Sequence, residues 1–140
     1  MVMTASIPQR PTIQRSVVAV PARLASSRLP DKVLADIGGQ PMIQRVLNRC
    51  AEAEGPESVV LCTDSERLQE LASAWGFPVL MTSEACSSGS ERIASVADQL
   101  VALAWGEAAD AWDDAQRQQR LLSTAVINAV SYTHLTLPTR

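Results

Sequence analysis

Between Val20 and Lys32 the chain reads V-P-A-R-L-A-S-S-R-L-P-D-K, which places Arg23, Arg28 and Lys32 in one short segment with a single acid, Asp31. Cations at this spacing suit a polyphosphate. An arginine offers a planar fork for two phosphate oxygens, and a lysine offers a mobile point charge. Ser26 and Ser27 add hydroxyls, and loop N–H groups can add an anion-binding concavity. Pro21 and Pro30 restrict the loop at its two ends. The competing reading is a solvated basic loop paired with nearby acids, and composition alone does not separate the two. The segment is not the phosphate loop G-x-x-x-x-G-K-[ST], and Gly38-Gly39 is not a dinucleotide fingerprint.

The concentration of cations is local. Over 140 residues the chain carries twelve Lys and Arg against fifteen Asp and Glu, a formal net charge of -3. A general nucleic-acid binder needs a broad basic face, so nucleic acid is not an expected partner. Apolar residues make up 46% and charged residues 19%, which fits one domain with a real core and not a disordered chain. No apolar run approaches the roughly 18 residues of a membrane span. The opening stretch, residues 1–15, lacks a signal-type apolar run and reads as a disordered leader, so a cytoplasmic protein is expected. Cys50, Cys62 and Cys86 are widely spaced and form no C-x-x-C, so they are expected to be free thiols, buried or half-buried. The one histidine, His134, lies in residues 130–140. There V-S-Y-T-H-L-T-L-P-T matches the in-frame translation of a sequencing adapter. That tail is expected not to be native, and without it no histidine is left for a triad or a metal.

The elements that would position the cations follow from periodicity. Ser16–Pro21, Ser58–Cys62 and Pro78–Met81 are short β-branched or apolar runs that read as buried strands, and Leu121–Ala129 reads as a fourth. A long loop is expected over 22–40, with Pro41 as the first residue of a helix. Ile43, Val46, Leu47 and Cys50 share one face of that helix. A second helix carries Leu68, Leu71, Ala72 and Trp75, capped by Asp64 or Ser65. A third starts at Ser88-Gly89-Ser90-Glu91, a capping box, and carries Ile93, Val96, Ala97, Leu100 and Ala104. Residues 105–120 are polar and acidic. Glu107, Asp110, Asp113 and Asp114 read there as a solvated face and not as metal ligands. The alternation β-α-β-α-β-α-β means an α/β fold of three layers around a mostly parallel sheet. Ligands on such sheets bind beyond the carboxyl ends of the strands, and the cationic loop leaves the carboxyl end of the first.

The motifs closely resemble those of the 3-deoxy-manno-octulosonate cytidylyltransferases, the CMP-Kdo synthetases. That family shows P-A-R, S-x-R-L-P-x-K and G-x-P-M-I in its opening. The stretches "LCTDSERL" from Leu61 and "MTSEACSSGSERIASV" from Met81 are similar to two later family segments. Asp31 stands where the family usually has glycine, and Ser90 where it commonly has threonine. The resemblance implies a Rossmann-like nucleotidyltransferase fold, here cut after its fourth strand, with residues 16–129 the nucleotide-binding half and 105–120 an insertion. It implies the transfer of CMP from CTP to 3-deoxy-manno-octulosonate (Kdo), with release of pyrophosphate, for lipopolysaccharide synthesis. By motif matching, Arg23, Arg28 and Lys32 become the catalytic cations on the triphosphate. Ala22, Ser26, Ser27, Asp64, Ser88, Gly89 and Arg92 become CTP-binding. Capping alone explains Asp64 equally well, and a surface pair with Glu91 or Asp98 is the alternative for Arg92. Magnesium is the implied cofactor, with ligands expected beyond the end of the native segment, and a homodimer is the implied assembly. A cytidylyltransferase for another sugar acid, such as sialic acid, and a non-catalytic nucleotide-binding module are the competing functions.

Overall fold

The computed structural model describes residues 12–24 and 34–129. The leader up to residue 11, the tail from residue 130, and Ser26, Ser27, Arg28, Asp31 and Lys32 lie outside the described residues.

Four strands form one parallel sheet: β1 (Arg15–Ala22), β4 (Val59–Thr63), β5 (Val79–Met81) and β6 (Thr124–Asn128), in the order β5-β4-β1-β6. A small antiparallel hairpin, β2 (Asp36–Ile37) and β3 (Gln40–Pro41), precedes the first helix. The helices are α1 (Met42–Ala51), α2 (Glu66–Ala74), α3 (Gly89–Ser95), α4 (Ala97–Trp105) and α5 (Asp114–Leu122), with a 3-10 turn at Ala109–Ala111.

Residues of β1 alternate between two separate cores. Val18, Val20 and Ala22 pack with Ile43, Val46 and Leu47 of α1 and with Leu68 and Ala72 of α2. Val17 and Ala19 pack with Ile93, Val96, Leu100 and Ala104 on the opposite face. Along β4, Val59 and Leu61 join the first core, and Val60 and Cys62 the second. A parallel strand buried on both faces must be apolar throughout, which is why "SVVAV" shows no polar alternation. The expected three-layer α/β fold is what forms.

The differences are local. β1 begins at Arg15, so the leader ends sooner than expected: the amides of Gln14 and Arg15 both donate to Ser123 O, at 2.8 and 3.2 Å. The 22–40 loop is not wholly irregular, because Gly38 and Gly39 have φ of 62° and 92° and turn the hairpin tightly. Pro41 is not the first residue of α1. It has ψ 146°, pairs with Asp36 and stands just before the helix. The third helix breaks at Val96, with φ -121° and ψ 26°, giving α3 and α4. Ser95 Oγ donates back to Arg92 O at 2.7 Å, and Val96 N bonds only three residues back, to Ile93 O. Such local bonding competes with the helical ladder. The fourth strand starts at Thr124, because Leu121 and Leu122 still belong to α5.

Residues 105–120 form the end of α4, the 3-10 turn and most of α5. Asp113 and Gln116 cap α5 reciprocally. Two guanidiniums approach the Trp105 ring, with Arg15 Cζ 4.8 Å and Arg120 Cζ 4.6 Å from its centroid. Its Nε1 donates to Thr124 Oγ1 at 2.8 Å, and Arg120 Nε donates to Glu107 at 2.8 Å. Trp105 thus ties the starts of β1 and β6 to α4 and α5. Trp105→Ala is expected to lower stability by about 2–3 kcal/mol, as a half-buried aromatic truncation, and Arg120→Ala by clearly less, since it removes only a cation–π contact and an ion pair at the surface. Urea unfolding of the two variants and the parent checks the ranking.

Candidate functional site

The parallel register brings the carboxyl ends of the strands to one edge, with Ala22 beside Thr63 and Thr63 beside Met81. The chain runs from β1 to β4 and β5 on one side, then crosses back to β6 on the other. The strand order therefore reverses at β1, where an open α/β sheet forms its ligand crevice.

Arg23 leaves β1 at this edge. Its side chain is exposed, and among the described residues no hydrogen-bonding or ionic partner engages it. Ala22, beneath it, is buried.

The start of α3 faces the same edge. Ser88 Oγ accepts from Glu91 N at 3.0 Å, as a capping residue should. The expected box is not reciprocal, however: the Glu91 carboxylate turns outward and accepts from Ser87 N and Ser87 Oγ, both at 2.7 Å. These bonds hold the Glu91 carboxyl below the usual carboxylate range. Gly89 lies against the end of β1, and a Cβ there would stand 3.0 Å from Pro21 Cγ. The pyrrolidine ring has little freedom to move aside, so Gly89 is what lets α3 approach the strand. Ser90 Oγ accepts from Asn128 Nδ2 at 3.3 Å, which links α3 to the end of β6.

Arg92 was open to a surface pairing with Glu91 or Asp98, and the structure excludes it. Its side chain is only 3% exposed, and Asp98 pairs instead with Arg117 at 2.9 Å. Arg92 Nη1 donates to Thr82 Oγ1 at 2.5 Å and to Ser83 O at 3.2 Å, and stands 3.7 Å from Asp64 Oδ2. Asp64 is not the cap of α2. Ser65 takes that role, accepting from Leu68 N at 3.1 Å, while its own amide donates to Thr63 Oγ1. Asp64, 18% exposed, is left at the strand end with Arg92. Ala22, Arg23, Asp64, Ser88, Gly89 and Arg92 thus belong to one edge of the sheet. Thr82, Ser83 and Asn128 join them there. Only "MTS" hinted at the first two, since a motif does not show which long-range partner a side chain meets.

Cys62 is fully buried in β4. Burial pushes its thiol up to about 12, against a smaller opposing pull from the Arg92 charge. All three cysteines are free, Cys86 buried and Cys50 half-buried, with burial raising the Cys50 thiol as well. Among the described residues no group of three or more His, Cys, Asp or Glu side chains could hold a metal ion. Nor is any described helix long and apolar enough to cross a membrane.

A cytidylyltransferase family model matches residues 17–103. The chain belongs to the cytidylyltransferase family. Among curated relatives, the 3-deoxy-manno-octulosonate cytidylyltransferase of Idiomarina loihiensis is 53% identical over 83 residues, 59% of this chain and 32% of that protein. The enzyme of the same name from Cellvibrio japonicus is 43% identical over 115 residues, covering 81% of this chain and 43% of its own. A solved structure of CMP:2-keto-3-deoxy-manno-octonic acid synthetase complexed with CTP superposes with a TM-score of 0.59 at 38% identity, over 61% of this chain and 36% of that one. The chain spans between about a third and somewhat under half the length of these relatives.

Two predictions follow from the packing of this edge. Gly89→Ala should destabilise the fold by about 1–3 kcal/mol, the cost of overpacking, and should shift α3. Thermal unfolding and the amide spectrum of residues 88–92 test it. The raised Cys62 pKa gives the second. A thiol kept neutral in the folded state contributes fully below the ordinary value of 9.0 and is lost as pH rises toward about 12. Over that window the folded protein should lose about 1.4 kcal/mol per pH unit through this group. Cys62→Ala should show a shallower decline of stability between pH 9 and 11, measured by urea unfolding.

Proposed function

We propose that this chain supplies the CTP-binding part of an enzyme that transfers CMP from CTP to Kdo, releasing pyrophosphate. One observation carries the reading: the exposed Arg23 follows the end of β1 against which the α3 start at Gly89 packs, in a chain 53% identical over 83 residues to a 3-deoxy-manno-octulosonate cytidylyltransferase. The likeness to a CTP-complexed synthetase supports the same nucleotide. The relatives favour Kdo over other sugar acids. A non-catalytic nucleotide-binding module has no comparable support.

In the proposed reaction the anomeric hydroxyl of the sugar attacks the α-phosphorus and pyrophosphate leaves in line. The protein's work is to place the reactants and to neutralise charge on the leaving group. Arg23, with Arg28 and Lys32 from the same segment, binds the triphosphate, and Ala22, Ser26 and Ser27 support that loop. Ser88 and Gly89 border the cytosine, Asp64 borders the nucleotide from the end of β4, and Arg92 stands behind them in the wall. Magnesium, as the ion that accompanies a nucleoside triphosphate, would neutralise phosphate charge; no described residue is assigned to hold it. A cytoplasmic location, a place in lipopolysaccharide synthesis and a homodimer belong to the same proposal.

A chimera tests it: residues 12–128 of this chain joined to the remainder of the Idiomarina loihiensis relative, assayed for CMP-Kdo with CTP, Kdo and magnesium. The chimera should turn over, and Arg28→Ala and Lys32→Ala should each lower kcat/KM about a hundredfold, the scale for losing one preorganised charge donor. A soluble chimera without turnover would refute the function, and unchanged kcat/KM in both variants would refute the assignment of the cations.

A further inference from the structure

We infer that Arg92 is a positioning residue, one that shapes the nucleotide-facing wall from behind through Thr82, Ser83 and Asp64 and does not itself touch the nucleotide. The inference rests on the CTP-binding reading above and deepens it.

Burial and commitment of the guanidinium carry the argument. A cation 3% exposed needs partners for its donors, and removing one side of such a cluster costs more than a surface contact. Its partners come from two different strand ends and the loop behind one of them. Asp64 follows β4. Thr82 follows β5, and its amide donates to Thr63 O at 2.9 Å. Ser83 opens the loop that leads to α3, and Ser83 O accepts both from Arg92 Nη1 and from Cys86 N, at 3.2 and 3.3 Å. The Ser83 side chain in turn accepts from Ala85 N at 2.9 Å. One guanidinium therefore fixes the end of β4, the end of β5 and the turn over residues 83–86 relative to α3. That turn delivers Ser88 and Gly89 to the end of β1. A guanidinium whose Nη1 is engaged on Thr82 and Ser83 beside Asp64, in a side chain only 3% exposed, is placed to hold the wall and not to meet a base.

The test uses Arg92→Lys, which keeps the charge but loses the fork, and Thr82→Val, which removes the hydroxyl partner without touching the arginine. In the ligand-free protein, both variants should speed hydrogen exchange at the amides of residues 82, 86 and 92 about tenfold, the factor for one buried hydrogen bond lost. The amides of Val60 and Leu61 should be unchanged, whereas global destabilisation would speed them as well. By calorimetry, CTP affinity should fall in both variants by a similar factor, and the double variant should be no weaker than Arg92→Lys alone. Two results overturn the inference. One is unchanged exchange at all three amides. The other is a Thr82→Val protein that binds CTP like the parent while Arg92→Lys does not, the pattern of direct contact. Failure of the parent chain to bind CTP would count against the proposed function instead, and the exchange arm would still decide whether Arg92 holds this wall.

Discussion

The burial of β1 on both faces is the constraint on which everything else depends. Val17 to Val20 are between 0 and 4% exposed, and each successive residue enters the opposite core. A strand so placed needs a hydrogen-bonded neighbour on each edge and a helical layer on each side. β4 and β6 supply the edges, α1 and α2 one layer, and α3 and α4 the other. Because both neighbours are parallel, their carboxyl ends fall together, and whatever follows them is forced into one neighbourhood. The candidate edge is thus a consequence of the core, which brings Arg23, Asp64 and α3 into one neighbourhood, while Gly89 and the Arg92 contacts set how closely they approach.

Much of that architecture is visible in the residues. "SVVAV" and "SVVLC" are apolar and β-branched without alternation, which only a doubly covered strand tolerates. The α1 and α2 faces follow from spacing alone. What was not legible depends on partners distant in sequence. The hairpin at 36–41 is made of two-residue strands, too short for periodicity to register, although Gly38-Gly39 marks its turn. The break at Val96 has no glycine or proline to announce it, because the competing bond comes from a serine hydroxyl. Asp64 and Ser65 are both good caps, and the choice is made by Thr63, whose hydroxyl takes the Ser65 amide.

Arg92 shows the limit most clearly. An arginine beside a glutamate on a short amphipathic helix reads as a solvated pair, and local rules offer nothing else. Its burial is decided by β5, whose end must lie alongside α3 before Thr82 and Ser83 can present their oxygens. The sequence motif around it carried the family resemblance without saying whether each member touches a ligand or supports one that does. Geometry distinguishes their positions: Ser88 and Gly89 stand at the rim, and Arg92 is buried beneath it with its Nη1 committed to Thr82 and Ser83.

The same parallel order keeps the acids of residues 105–120 away from the proposed anion site. The acids of residues 105–120 are attached to the opposite end of the sheet, since α5 precedes β6 and its neighbours Trp105 and Arg120 sit beside Arg15, where β1 starts. Glu107 is further neutralised there by Arg120, which holds its carboxyl below the usual range. From Arg15 to Ala22 the strand spans roughly 23 Å at about 3.3 Å per residue. That distance is more than twice the screening length of about 8 Å at physiological salt. Exposed charge at one end is therefore largely invisible at the other. A net charge of -3 describes the whole chain, whereas at the end where the strands terminate the local charges are those of Arg23, Asp64, Glu91 and the buried Arg92. The acids of residues 105–120 are thus too far away to oppose the proposed anion site at the strand ends.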